Sequence, residues 1–368
     1  MGRKSQPGAK ELEVSLFGPG IGECVVVHLG FGEWMIVDSC LNEAGTKAIA
    51  LEYLESLGVS LEDQVKLVVA SHWHDDHIKG ISQVVRNCPS ARFACSDALR
   101  CEEFLTLLQA DSEIKLIEHT SGVSEFASIL EVLRARSQKP NSFGPHHWAS
   151  AGSCIYLNNS GKVTVHALSP SSQTITDARK GLADLIPAVG QSIRHIPTLS
   201  PNSLCVVLSI ETISATILLG ADLETGTDDN HGWRAIVKSP IREADARSMI
   251  FKVAHHGSAN ADLDDVWREM LEANPYSVLT PYGRGPKPLP SLSDITRIKQ
   301  RTRRLYCTAY PPTKSPPNRD AAADRTMKEI TLYRRAIRKK PGHIRARVPI
   351  DGKISDVAVD RFDGAVIL

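Results

Sequence analysis

The sequence predicts an α/β fold in which layered sheets and helices present a ligand site where several strands end. Three observations carry this expectation. Short apolar runs alternate with segments of helical spacing; three of those runs stop directly at polar clusters; and one cluster, Ser71-His-Trp-His-Asp-Asp-His77, gathers three imidazoles and the carboxylate of Asp76 into six residues.

The elements follow in order. Residues 11–17, 24–29 and 33–38 read as three short strands divided by the glycine-rich turns 18–22 and 30–32, a meander. Residues 47–57 place Ala48, Leu51, Leu54 and Leu57 at helical spacing and stop at Gly58, a good helix-ending residue. Residues 65–70 form a buried-type strand that runs straight into the histidine cluster, and open α/β sheets bind ligands at such strand ends. Between 81 and 160 short strands alternate with helices at 98–109 and 124–136 and a polar loop at 138–150, which reads as an elaboration. Strands are expected again at 162–168, 204–210, 215–219, 250–254 and 277–280, with helices at 263–273 and 295–303. The alternation at 344–368 around Asp351-Gly352 reads as a closing hairpin packed on the body.

Composition sets the class. A chain of 368 residues with 42% apolar content buries a large core, as one big domain or two modest ones. No apolar run approaches the roughly 18–20 residues of a membrane span, Met1 to Lys10 is polar, and Gln6 breaks the myristoylation pattern. The expectation is a cytoplasmic protein with no membrane attachment. The cysteines at 24, 40, 88, 95, 101, 154, 205 and 307 form no C-x-x-C pair and several sit in strand-like runs, as buried free thiols do in a reducing compartment. A Cys95–Cys101 bridge is the minor alternative.

Charge is unevenly spread. Between Arg297 and Arg347 there are sixteen Lys or Arg residues and three acids, although the whole chain carries a formal charge of +1. A basic C-terminal quarter on an acidic body suits an anionic polymer such as DNA or RNA, through Arg297, Arg301, Arg303, Arg304, Arg334, Arg335, Arg338, Lys339 and Lys340. An ordinary solvated helix face is the competing reading. A phosphate-bound polymer predicts binding that weakens steeply with added salt.

The chemistry centres on His72, His74, Asp76 and His77, a set of nitrogen and oxygen donors suited to zinc, manganese or iron. One tight loop can direct the pair His72/His74 at one ion and Asp76/His77 at a second. Asp38 reads as a hydrogen-bonding tie for the loop ahead of a ligand, His28 as a satisfied core imidazole, His146 and His147 as solvent or lid residues, and Trp73 as packing.

At these residues the chain resembles the metallo-β-lactamase superfamily, whose H-x-H-x-D-H signature is met in full. It looks most like the branch containing the hydrolase domain of the DNA-uptake protein ComEC, through Gly18-Pro-Gly-Ile-Gly-Glu23, Ile36-Val-Asp38, Asn202-Ser-Leu204, Leu219-Gly-Ala-Asp222 and Lys252-Val-Ala-His-His-Gly-Ser258, in order across about residues 12–310. The resemblance implies a four-layer αββα sandwich with two divalent metals, zinc or manganese, at one edge. It implies a hydrolase domain at 11–310 that contains the 81–160 elaboration, and leaves 311–368 as a basic C-terminal extension.

Carried over by position, the resemblance assigns His72 and His74 to the first metal, Asp76 and His77 to the second, and Asp222 to a bridge between them. Either His255 or His256 completes the second site, with His256 favoured because it precedes Gly257. The superfamily's middle histidine has no clear counterpart; His166, His195 and Asn202 are the candidates. A G-H-P signature of the branch stands here as Pro288-Leu-Pro290, so a histidine is missing.

Two ions bridged by a carboxylate lower the pKa of a shared water to about 7, which suits phosphodiester hydrolysis. In that scheme Asp76 orients or deprotonates the water, and Lys252 or Ser258 contacts a phosphate oxygen. Hydrolysis of a small ester, lactone or phosphorylated metabolite is the second expectation, since a fold does not set a function. A metal-stabilised, non-enzymatic subunit beside a protein partner encoded in a defence or stress operon is the third.

Overall fold

The computed structural model describes residues 5–18, 22–100, 121–137, 146–183, 201–240, 247–283, 287–311 and 342–368. The strands are β1 (Glu11–Gly18), β2 (Cys24–Leu29), β3 (Trp34–Val37), β4 (Val65–Ala70), β5 (Arg92–Ser96), β6 (His146–Ala149), β7 (Ser153–Leu157), β8 (Thr164–Ala167), β9 (Leu208–Glu211), β10 (Thr216–Leu219), β11 (Ser248–Lys252), β12 (Leu271–Leu279), β13 (Leu305–Cys307), β14 (Gly342–Pro349), β15 (Ala358–Phe362) and β16 (Val366–Ile367). They form two eight-stranded sheets, ordered β15-β14-β1-β2-β3-β4-β5-β6 and β16-β13-β12-β11-β10-β9-β8-β7.

Alternation along each strand explains the layering. In β1 and β2, Leu12, Val14, Leu16, Val25, Val27 and Leu29 face the second sheet, where Val165, Ala167, Leu208, Ile210, Ile217 and Leu219 meet them in one buried apolar layer. The opposite face of the first sheet packs Val26, Ile36 and Val68 against helices Ile49–Ser56, Ile81–Asn87 and Ser121–Arg136. The outer face of the second sheet packs Leu218, Phe251 and Leu279 against Trp233 and Ile236 of helix Gly232–Lys238 and Ile298 of helix Leu292–Lys299. The result is the four-layer αββα sandwich.

Several expected boundaries move. The loop expected at 138–150 contains β6, which pairs in parallel with β5, so His146 and His147 are strand residues; 138–145 lie outside the described residues. β5, β6 and β7 belong to the two sheets, so this part of 81–160 builds the sandwich itself. Of the helix expected at 98–109, a 3-10 turn at Asp97–Leu99 is seen and 101–120 lie outside the described residues. In place of a helix over 263–273 there is one π-helical turn, Val266–Met270, and then β12, because Leu271 registers against Ser248 of the neighbouring strand.

The closing hairpin is present and does more than pack on the body. β14 pairs antiparallel with β1 over eight residues, Glu11 to Gly18 against Pro349 to Gly342, and β15 follows on its far side. Glu13 is fully buried there, accepting from Tyr53 Oη at 2.6 Å, Ser15 Oγ at 2.7 Å and Arg347 Nε at 2.7 Å. Arg347→Met leaves that carboxylate without its cation and is expected to destabilise the protein by about 3–5 kcal/mol in urea unfolding.

Six cysteines (Cys24, Cys40, Cys88, Cys95, Cys205 and Cys307) are buried free thiols and Cys154 is exposed and free, while Cys101 lies outside the described residues. Among the described residues no helix is long and apolar enough to cross a membrane.

Candidate metal centre

One edge of the sandwich collects the chemistry, and strand direction is the reason. β3 runs parallel to β4, and β10 and β12 run parallel to β11, so Asp38, the 71–77 loop, Asp222, His255, His256 and Thr280 all follow the C-terminal ends of neighbouring strands. Glu23 joins them because β2 is antiparallel to β3 and begins at the same edge.

The loop after β4 is held from both sides. Asp38, in the left-handed region at φ 61°, accepts from the Ser71 amide and hydroxyl, each at 2.7 Å, and its Oδ2 lies 2.8 Å from His77 Nδ1. This bears on its expected role: the carboxylate ties the loop and orients the His77 ring. Glu23 N donates to Asp76 O at 2.8 Å, an approach made possible by Gly22, where a Cβ would meet Asp76 O and Cys40 Cβ at 2.9 Å. Gly22→Ala is expected to push the 71–77 loop outward and weaken metal retention by about 10–100-fold, the usual scale for an outer support of a metal ligand, measured by dialysis against a chelator.

Donor atoms from three stretches of chain converge. One donor atom each of Asp76, His77, Asp222 and His256 lie within 4.8 Å of one another. Within that group, Asp222 Oδ2 is 3.3 Å from His77 Nε2 and 3.5 Å from His256 Nε2, and Asp76 Oδ2 is 3.2 Å from His256 Nε2. Beside it, His72 Nε2 and His74 Nδ1 face each other at 3.1 Å. His72, His77, Asp222 and His256 are buried, while His74 and Asp76 are partly exposed and form the open side. His77 Nε2 and Asp222 Oδ1 are buried without a hydrogen-bond partner among the described residues. Orphaned buried donors and acceptors are costly unless something else satisfies them, and imidazole nitrogens facing carboxylate oxygens are the donor set that a divalent cation takes. The residues fit a metal.

Electrostatics agree. Burial opposes charge on His77, but Asp222, Glu23 and Asp76 outweigh it and push its pKa well up; burial also opposes charge on His256, which Asp222, Asp76 and Glu23 likewise raise. Burial would raise Asp222, yet His77, His256 and Lys252 hold it well below the usual carboxylate range. A cation entering the site must therefore displace protons from imidazoles that hold them above the ordinary histidine pKa, so affinity falls as pH falls. Competition titrations across a pH series are expected to show proton release on metal uptake.

A second ring of contacts was not legible as such. Glu23, 1% exposed, contacts the Lys252 ammonium through Oε1 and accepts from Thr280 Oγ1 at 2.5 Å through Oε2. His256 Nδ1 lies 3.1 Å from Thr280 O, and its ring stacks on Tyr282 with centroids 5.2 Å apart. Glu23 sits in a motif noted above, but a carboxylate after a glycine turn carries no local sign of burial.

Lys252 is placed differently from its expected role. It is 1% exposed, donates to Ala221 O at 2.8 Å, contacts Glu23 and lies 3.6 Å from Asp222 Oδ1, so its charge is buried against two carboxylates and a carbonyl, away from solvent. Ser258 is half-buried just past the His256 turn, with its amide donating to His255 O at 2.9 Å. Asn202 and His255 lie together at 3.3 Å, and His255 stands outside the four-residue cluster. His166 lies within β8 on the face opposite Val165 and Ala167, with no hydrogen bond or ion pair to the cluster among the described residues; His195 lies outside them. Trp73 packs, half-buried, against two apolar clusters. His28 is 2% exposed; its Nδ1 donates to Glu11 O at 2.7 Å, its Nε2 accepts from Gly32 N at 3.1 Å, and burial lowers its pKa to about 4.

The basic residues in view are largely committed. Arg297 bonds Asp262 at 2.5 Å, Asp294 at 2.6 Å and Gly257 O at 2.7 Å, Arg301 pairs with Asp264, and Arg304 covers the Tyr276 ring at 4.3 Å. Arg303 is exposed, and Arg334, Arg335, Arg338, Lys339 and Lys340 lie outside the described residues.

Residues 17–104 match the family model of the metallo-β-lactamase superfamily, and the two sheets with their covering helices have that fold. Among curated proteins no sequence matches this one. Similar solved structures include the metallo-β-lactamase fold protein YhfI from Bacillus subtilis, 12% identical, covering 83% of this chain and 98% of that one with a TM-score of 0.39. The subclass B3 metallo-β-lactamase MEM-A1 from a soil metagenome library is 14% identical, with 70% and 83% covered and a TM-score of 0.34. A B3 metallo-β-lactamase with an active-site glutamic acid is 12% identical, with 62% of this chain and 65% of that chain covered, under two thirds of its length, and a TM-score of 0.31.

Proposed function

We propose that the chain is a two-metal hydrolase of phosphodiester bonds, with DNA or RNA as its substrate class, and that its finer likeness is to the ComEC-like branch. The observation that carries the reading is the convergence of Asp76, His77, Asp222 and His256 donor atoms, with the facing pair His72/His74 beside them. When bound, two divalent cations, zinc or manganese, supply an activated water and neutralise charge on the phosphate and its leaving oxygen. Asp222, buried 3.3 Å from His77 and 3.5 Å from His256, would hold the second ion with them, and the family resemblance gives it the further role of serving the first. Asp38 holds the His77 ring through Nδ1, leaving Nε2 for the ligand side. Asp76, on the open side and 3.2 Å from His256, is positioned to accept a proton from an incoming nucleophile and to pass it to solvent. Ser258 is retained as a contact for a phosphate oxygen.

For nucleic acid the support lies in the density of Arg334, Arg335, Arg338, Lys339 and Lys340, since Arg297 and Arg301 are held by acids. The test is a panel of linear and circular DNA, RNA, bis-p-nitrophenyl phosphate and simple esters, with zinc or manganese. Phosphodiester cleavage that a chelator abolishes, with nucleic-acid affinity falling steeply as salt rises, is the expected result. Cleavage of esters alone contradicts it, and inactivity with two bound ions favours a non-enzymatic subunit.

A further inference from the structure

We infer that the side-chain oxygen of Asn202 completes the first metal position beside His72 and His74, with His255 as the positioning residue that aims it. The inference rests on the two-metal reading above. Asn202 sits in the 3-10 turn Pro201–Leu204, which is carried to the site because Val206 N donates to Ser71 O at 2.9 Å and Leu204 packs in a cluster with Trp73.

The amide's orientation is settled by its neighbours. Its Nδ2 donates to Glu224 Oε1 at 3.2 Å and lies 3.3 Å from His255 Nε2. A carboxylate only accepts, so the nitrogen must face Glu224 and the oxygen must turn the other way. That oxygen is buried, on a residue 6% exposed, and has no donor among the described residues. A polar atom held in place on one side and left unsatisfied on the other is what an oxygen ligand looks like before its cation is considered.

His255 stands outside the four-residue cluster and contacts the amide instead. With Nδ1 3.0 Å from Asn260 Oδ1 and Nε2 3.3 Å from Asn202 Nδ2, the ring is placed to donate to the first and accept from the second. The adjacent imidazoles therefore divide their work: both residues adopt left-handed backbone, φ 46° and 53°, which sends His256 to Asp76 and Asp222 and His255 to Asn202. Arg297, bonded to Gly257 O at 2.7 Å, braces that turn.

An amide oxygen is a harder and weaker donor than an imidazole nitrogen, so the first position is expected to bind more weakly than the second and to favour manganese over zinc more than a three-imidazole site does. The test is titration of metal-free protein with Mn2+ and with Zn2+, reading stoichiometry, stepwise affinity and the manganese resonance. Wild type is expected to bind two ions unequally. Asn202→Ala is expected to weaken the looser ion at least ~10-fold and leave the tighter one unchanged, and His255→Ala to weaken the looser ion less. Asn202→Asp, which keeps an oxygen there, retains both. Asn202→Ala binding both ions with wild-type affinity, or losing the tighter one, overturns the inference while the two-metal reading stands. Wild type binding no ion overturns both.

Discussion

Asp222→Asn is expected to remove both bound ions and hydrolysis together while leaving the fold intact. Removing an outer support of a metal ligand costs about 10–100-fold in affinity or activity, and on the proposed two-metal reading, in which Asp222 serves both ions, its loss is expected to cost more than that. The buried environment sharpens the effect. Asp222 is 2% exposed with His77 Nε2 at 3.3 Å, His256 Nε2 at 3.5 Å and the Lys252 ammonium at 3.6 Å, so its negative charge is the common counterpart of three cationic or metal-binding groups. Asn keeps the volume and loses the charge. Circular dichroism that stays native alongside a metal content near zero is the expected pair of results; two retained ions in a folded Asp222→Asn protein would mean that the carboxylate is structural.

Lys252→Met is expected to lower stability by about 3–5 kcal/mol, the usual consequence of leaving one member of a buried ion pair without the other. It is also expected to loosen the metals by about 10–100-fold. The ammonium holds Glu23, Ala221 O and the unpartnered side of Asp222 at once. The double variant Lys252→Met with Glu23→Gln removes both charges and is expected to recover part of the stability but not the metal affinity, because Asp222 still lacks its cationic neighbour. Equal loss of stability in single and double variants would show that Glu23 and Lys252 do not act as a pair.

What the sequence made legible was what lies close along the chain. The spacing His72-x-His74-x-Asp76-His77 is local, and β4 ends at Ala70 directly before it, so the cluster's place at a strand end could be read without tertiary information. Asp222 and His256 were reachable through the family resemblance of the motifs at 219–222 and 252–258, each of which follows a strand. The role of Lys252 was not, since adjacency to His255 suggests a shared open face while strand position puts its side chain in the interior. The same limit hides Arg297: charge counting cannot see Asp262 and Asp294 folded against it. β6 was missed because His146 to Ala149 has little strand pattern of its own, and its pairing with β5 is a long-range contact.

The measurement closest to the central claim is elemental analysis of the purified protein, with and without chelator, beside the Asp222→Asn variant. Two equivalents of a transition metal in wild type, removed by chelator together with activity and absent from the variant, is the predicted result. A wild-type protein that holds no metal when supplied with zinc or manganese, or that keeps its activity after the metal is stripped, contradicts it.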